Sequence, residues 1–147
     1  MKLSTKGRYG LRAMLDLAIN AAGDHVSLYN IAERQGISEN YLEQVFSALR
    51  KAGLVKSVKG AQGGYILADK PSRTTVGTIL RALEGDLTVV DEEKENAAGN
   101  LVIGCIKEKV WDRMNECLNK VVDSITLEDL LLDYRKMEGV VNEMYFI

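Results

Sequence analysis

The stretch from Ser38 to Ser47 interleaves apolar residues at helical spacing with side chains able to read a base edge. Tyr41, Leu42, Val45, Phe46 and Leu49 fall on one face. Glu39, Asn40, Glu43, Gln44 and Ser47 are left on the other. Glutamate accepts from cytosine N4, and glutamine or asparagine pairs with adenine in the major groove. Glu43 stands out, because a carboxylate facing DNA is repelled by phosphates and is tolerated mainly where it reads a base. A solvated helix face has the same polarity, so the surrounding elements must decide between the two.

A second group lies downstream. Lys56 and Lys59 precede Gly60-Ala61-Gln62-Gly63-Gly64, and Lys2 lies at the N-terminus, so that these lysines could meet phosphates or a groove on either side of a base-reading helix. Glycine lets backbone approach DNA closely, and a lysine beside it can enter a narrow minor groove. An ordinary hairpin turn needs one or two glycines rather than three in five residues, so the tip Gly60, Gln62 and Gly63 is expected to touch DNA. Arg50 and Lys51, at the end of the same helix, are explained by the helix dipole alone. Cys105 is expected at the start of a long helix, where a thiolate is favoured. Cys117 falls in an apolar stripe and reads as packed. Neither belongs to a CxxC pair. His25 is the only histidine, in a turn without a ligand cluster, and reads as a solvated turn residue.

These groups need particular elements to hold them. A first helix is expected over 4–22, capped by Ser4 or Thr5, with an apolar stripe of Leu11, Met14, Leu15, Ala18 and Ala22. Its Gly7 and Gly10 would be tolerated where another backbone comes close. Ser27 caps a second helix that ends near Gln35, with Gly36 as a left-handed C-terminal residue. Ser38 caps the third, over 39–52, ended by Gly53. Helix, short glycine-containing turn, helix is the helix-turn-helix pattern. The runs 54–59 and 65–68 then form a β-hairpin, which directly after such a pair is a wing. Pro71 precedes a fourth helix over 76–83, capped by Thr74 or Thr75. Residues 85–104 lose periodicity and include the acidic run Asp91-Glu92-Glu93; a loop that long is usually functional or disordered. A long helix follows over 105–123. Its Val110, Met114, Cys117 and Val121 form one stripe, and Trp111, Leu118, Val122 and Ile125 an adjacent one, enough for its own domain and a partner helix together. A last helix begins at Thr126, and the apolar tail Met144-Tyr145-Phe146-Ile147 is expected to pack against something.

The fold class expected is mainly α with a small β-hairpin wing: a winged helix-turn-helix plus a long dimerisation helix. The expected division is a DNA-binding domain over 1–84, a flexible sensor or effector loop over 85–104, and a dimerisation helix with C-terminal helix over 105–147. With 147 residues, 46% of them hydrophobic, the chain can bury a core. The net charge of −2 conceals an asymmetry: residues 1–80 carry 11 basic and 6 acidic side chains (+5), residues 81–147 carry 8 and 15 (−7). A basic half beside an acidic one fits a phosphate-binding module with a separate partner or sensor region. No apolar run approaches the roughly 20 residues of a membrane span, and the N-terminus lacks a signal-peptide core, so a cytoplasmic protein is expected. Two cysteines make no disulfide scaffold. No nucleophile–base pair, phosphate-binding loop or metal-ligand cluster points to an enzyme.

Taken together these residues resemble the Rrf-two (Rrf2) family of bacterial winged-helix transcriptional regulators, with its IscR-, CymR- and NsrR-like members. The resemblance lies in residues 1–9, in Ile31-Ala32-Glu33-Arg34-Gln35-Gly36-Ile37-Ser38, in Tyr41-Leu42-Glu43-Gln44, in Leu49-Arg50-Lys51-Ala52-Gly53-Leu54-Val55, in the wing 59–65, in Leu83-Glu84-Gly85 and in Ser124-Ile125-Thr126-Leu127-Glu128-Asp129-Leu130. It covers about residues 1–132. It implies a homodimer with crossing long helices that presents two winged domains to a palindromic operator. It further implies Glu43 as the base-reading glutamate, with Ser38, Tyr41 and Gln44 nearby, and Lys59 as the residue entering the minor groove. Cluster-binding members hold an iron–sulfur cluster on three cysteines in the loop before the long helix. Here only Cys105 matches, as the third, and Glu108 stands where IscR-like members have a histidine, so a three-cysteine site is absent from one chain and no cofactor is expected. CymR-like members lack the cluster and answer to cysteine supply, partly by binding an enzyme of cysteine biosynthesis.

The function expected is therefore a sequence-specific DNA-binding repressor of cysteine/sulfur or iron–sulfur metabolism, with double-stranded DNA and a second copy as partners. The alternatives are an iron–sulfur or thiol-based redox sensor using Cys105, and a protein-interaction adaptor whose winged helix no longer binds DNA.

Overall fold

A computed structural model describes residues 2–91 and 99–146. Three helices come first: α1 (Thr5–Asn20), α2 (Leu28–Gln35) and α3 (Glu39–Lys51). Each begins where a serine hydroxyl accepts a backbone N–H three residues on: Ser4 from Gly7, Ser27 from Asn30, Ser38 from Tyr41, each at 3.2 Å. Such a bond satisfies one of the free donors of a first turn. Gly36 ends α2 at φ +65°, and its N–H and that of Ile37 both reach the Ala32 carbonyl. Only a residue without Cβ adopts that backbone cheaply, so the turn between α2 and α3 is set by one glycine.

The α1 stripe is rotated from the one expected. Ala13, Met14 and Leu17 are buried together with Gly7, Gly10 and Asp16, whereas Leu15 and Ala18 are half-buried and Ala22 is exposed. The cause is the packing of α1 on a later helix, α4 (Val76–Glu84). A Cβ at Gly7 would strike the Glu84 carboxylate, and one at Gly10 the Leu83 side chain. These glycines therefore make room for side chains and not for a backbone. Ser4 donates to the same Glu84 carboxylate through its N–H (2.9 Å) and its hydroxyl.

The hairpin pairs β1 (Val55–Val58) with β2 (Gly64–Leu67) antiparallel, Val55 opposite Leu67 and Val58 opposite Gly64. Val26, just before α2, adds to the edge of β2: Val26 and Tyr65 exchange both backbone hydrogen bonds at 2.9 Å. The main core gathers Met14, Leu17, Ile31, Leu42, Val45, Phe46, Leu49, Val55, Ile79 and Leu127. A single 3-10 turn (Pro71–Arg73) leads into α4, capped by Thr75.

The long helix starts at Leu101, four residues before the expected Cys105, with Asn100 as its cap. It runs as α5 (Leu101–Ile106), a π-helical turn (Lys107–Trp111) and α6 (Asp112–Ser124). Cys105 thus lies in the second turn rather than at the helix start, and the favourable N-terminal position for a thiolate is lost. Of the expected loop and its acidic run, residues 92–98 lie outside the described residues. A second, smaller core forms where Val76 and Leu80 of α4 meet Leu87 and Val122, with Leu118 and Ile125 against it. Polar links reinforce it. Arg81 donates to Asp123 (2.7 and 2.9 Å) and to Asn119 (2.7 Å). Asn119 and Asn115 hold the backbone at Leu87 and Val89.

The last helix, α7 (Leu127–Phe146), opens with a reciprocal cap between Thr126 and Asp129. Leu127 lies in the main core, so α7 begins inside the N-terminal unit. Its far end does not pack on this chain: Met144 and Tyr145 are exposed, and Ile147 lies outside the described residues. No helix among the described residues is long and apolar enough to cross a membrane.

Candidate nucleic-acid interface

α3 buries Leu42, Val45, Phe46 and Leu49 and leaves Glu39, Asn40, Glu43 and Gln44 exposed, with Ser47 half-buried. Asn40, Glu43, Gln44 and Ser47 border a shallow groove along the helix. A second groove runs between α3 and the wing, floored by Glu39, Glu43, Ser57, Val58, Gly63 and Tyr65 and closed by the first residues of α2. Glu43 borders both, so the structure brings the expected base reader and the wing together. Phe46 fixes their spacing: its ring lies 4.9 Å from that of Tyr65 on β2.

The other expected residues divide. Lys56 and Lys59 are exposed on the wing, and Gly60 and Gln62 at its tip. Lys2 is exposed in the extended segment before α1 and borders neither groove. Ser38 is committed as the cap of α3. Tyr41 is half-buried, its ring edge-on to Tyr9 at 5.9 Å, so much of its surface is used within the fold. The wing glycines have structural reasons. Gly60 sits at φ +133°, Gly63 lies against the Val58 carbonyl, and a Cβ at Gly64 would strike the Val26 carbonyl. Their number therefore follows from the tight tip and the Val26 edge, and does not by itself argue for DNA.

Several residues were not singled out from the sequence. Ser27 and Tyr29, at the start of α2, border the helix–wing groove, and a helix N-terminus is a natural anion site. The capping serine was visible; its proximity to the wing was not. Arg12 lies over the Tyr9 ring at 5.0 Å and donates to the Gln35 carbonyl. Asp16, only 2% exposed, accepts from Arg34 at 2.8 and 3.0 Å, from Gln35 at 2.8 Å and from Asn20 at 3.2 Å. The hydrogen bond to Asp16 raises the Arg34 pKa above its ordinary value. This cluster locks α1 to α2. His25, expected as a solvated turn residue, instead contacts Asp24 and the wing backbone at Gln62.

Val110, Met114, Cys117 and Val121 are all exposed on the long helix, Val121 at 56%. Cys117 is therefore not packed within this chain. Val102 and Ile106 are exposed as well. Cys105 is exposed beside Leu101, Gly104 and Glu108. Among the described residues no three His, Cys, Asp or Glu side chains come together to hold a metal. The chain has two thiols, one on each side of the π turn, and these do not fit a three-thiolate cluster.

A second helix set on a glycine turn and followed by a two-stranded wing defines a winged helix-turn-helix protein. The chain belongs to the Rrf2 family, described as iron-dependent transcriptional regulators, whose profile matches residues 3–133. It is 46% identical over 132 residues to the HTH-type transcriptional regulator CymR of Bacillus subtilis, covering 88% of this chain and 89% of that one. It is 42% identical over 134 residues to the HTH-type transcriptional regulator IscR of Aliivibrio salmonicida, covering 90% and 79%. The structure of CymR, the global cysteine regulator of B. subtilis, superimposes with a TM-score of 0.74 over 89% of this chain and 96% of that one, at 45% identity. T. potens IscR gives 0.72 over 91% and 88%, at 49% identity. These relatives are transcriptional regulators, not enzymes.

Proposed function

We propose that the protein is a homodimeric, sequence-specific repressor that binds a palindromic operator and controls genes of cysteine/sulfur or iron–sulfur metabolism. The observation that carries this is the place of Glu43, exposed on α3 and bordering both grooves, with the cationic wing beside it. In this reading Glu43 meets a base edge, Asn40 and Gln44 flank it, and the wing lysines Lys56 and Lys59 engage the backbone and minor groove, with Ser38, Tyr41, Gly60, Gln62 and Gly63 shaping the surface and Lys2 at its margin. Residues 1–84 form the DNA-binding unit, and Val110, Met114, Cys117 and Val121 the face that meets the second copy. The metabolic assignment is supported by the B. subtilis relative, a global cysteine regulator, and by the family's description as iron-dependent.

The test is selection of duplexes from a random pool by the purified protein, followed by footprinting. The expected result is a symmetric site with half-sites about one or two helical turns apart. Salt-sensitive binding indifferent to sequence would overturn it.

A second reading, thiol-based sensing, is favoured by the exposure of Cys105. It predicts that an oxidant weakens binding to the selected duplex in the native protein and leaves Cys105→Ser unaffected; an equal response in both rejects it.

A further inference from the structure

The wing tip is tied to the turn between α1 and α2. Val26 pairs with Tyr65 at the base of the wing, and His25, the residue before it, reaches the tip: its Nε2 meets the carbonyl oxygen of Gln62. Its Nδ1 lies 2.8 Å from the Asp24 carboxylate, which also accepts the His25 backbone N–H at 2.7 Å. Both ring nitrogens therefore face oxygens that only accept. A neutral imidazole carries one N–H; the imidazolium carries two. Only the protonated ring donates in both directions at once. Arg34 of α2 lines the same open cavity, about 520 Å³, but its charge is matched by Asp16 of α1. The remaining polar neighbours, Asn20, Ser27 and Asn30, carry no charge. Among the described residues, ladder pairing stops at Val58 and Gly64, and a backbone bond from Gly63 N–H to the Gly60 carbonyl at 3.1 Å closes the turn.

We propose that His25 is a positioning residue for the wing: in its protonated form, held by Asp24, it donates to the Gln62 carbonyl and orders the 59–63 tip, so that DNA affinity falls as His25 loses its proton. The proposal rests on the reading that the wing meets DNA.

The test uses the full chain in two measurements. Amide hydrogen exchange without DNA, corrected for intrinsic rates, is compared at residues 60–63 and along α3 for the native protein and His25→Ala. Affinity for the best duplex recovered by selection is followed from about pH 6 to 8 for the native protein and His25→Gln, whose amide donates but does not titrate. Expected are faster tip exchange in His25→Ala with α3 unchanged, affinity of the native protein falling with pH by about tenfold, the lower end for one charge-assisted hydrogen bond, and a flat profile in His25→Gln. Unchanged tip exchange in His25→Ala overturns the tie itself, whatever the DNA result. Faster tip exchange with parallel pH profiles in native protein and His25→Gln overturns the link to DNA. Failure to recover any duplex would reject the DNA reading, and the exchange data would still judge the tie.

Discussion

Glu43 and Lys59 are expected to act through different physics, and their substitution should separate the two. Glu43 is exposed beside Asn40 and Gln44 on α3; if it meets a base as proposed, Glu43→Ala should remove discrimination worth about 1–3 kcal/mol at one base pair while leaving the salt dependence almost unchanged. Lys59 is exposed on the wing; Lys59→Ala should weaken all duplexes alike and reduce the log–log salt slope by about 0.9. Competition between selected and singly altered duplexes at several salt concentrations reads both. A Glu43→Ala variant that keeps the native preference at every position would remove the glutamate from the reading surface. Behind that surface, Arg34 neutralises a carboxylate that is almost wholly buried. Arg34→Ala should cost about 1.5–3 kcal/mol, the range for hydrogen bonds to a charged group, because Arg34 is itself 39% exposed and Asn20 and Gln35 still donate to Asp16. Urea unfolding measures it. Asp16→Asn should cost less, since it leaves no buried charge.

At the scale of elements, α4 and α6 are joined by a pair whose strength depends on pH. The hydrogen bond from Arg81 holds the Asp123 carboxyl below its ordinary 3.8. A depressed carboxylate contributes stability that is fully present above the unfolded value and is lost as pH falls through the folded one. The link should therefore hold at neutral pH and release only in acid below about pH 4. Asp123→Asn should flatten that part of the stability–pH curve; an unchanged acid limb would show that the pair contributes nothing to the packing of the long helix. Such elements were legible to different depths. α2, α3 and the hairpin follow from serine caps, Gly36 and Gly53, and a β-branched run, all local signals. The rotated α1 stripe was not legible, because its glycines are selected by Glu84 and Leu83 some 75 residues away. Nor was the π turn, which has no composition of its own and adds a residue to the helical repeat. Of the candidate site, the exposed polar face of α3 was visible from periodicity. The His25 contact with the wing and the Asp16 cluster were not, since both join segments that touch only in the folded chain.

For the whole molecule the surface itself is informative. The chain exposes 9826 Å², whereas a compact monomer of 16.3 kDa exposes about 7,500 Å². The difference, about 2,300 Å², is of the size one protomer of an obligate dimer covers. Much of the apolar part lies on two helix faces that the single chain leaves open: Val102, Ile106, Val110, Met114 and Val121 on the long helix, and Met137, Val141 and Met144 on α7. α7 carries its pattern outward from the core, since Leu127 is buried, Leu130 half-buried and the later members exposed. A charge placed in the first stripe should separate subunits without harming the chain's own core, because Met114 is already 47% exposed. Met114→Asp is therefore expected to sediment at 16.3 kDa, against twice that for the native protein, with its helical circular dichroism intact. Its affinity for the selected palindrome should fall by at least about 100-fold, as the second half-site no longer adds to the first, while affinity for a single half-site stays the same. A Met114→Asp protein that remains dimeric would move the interface from the long helix to the α7 face, and Val141→Asp would then be the variant that dissociates.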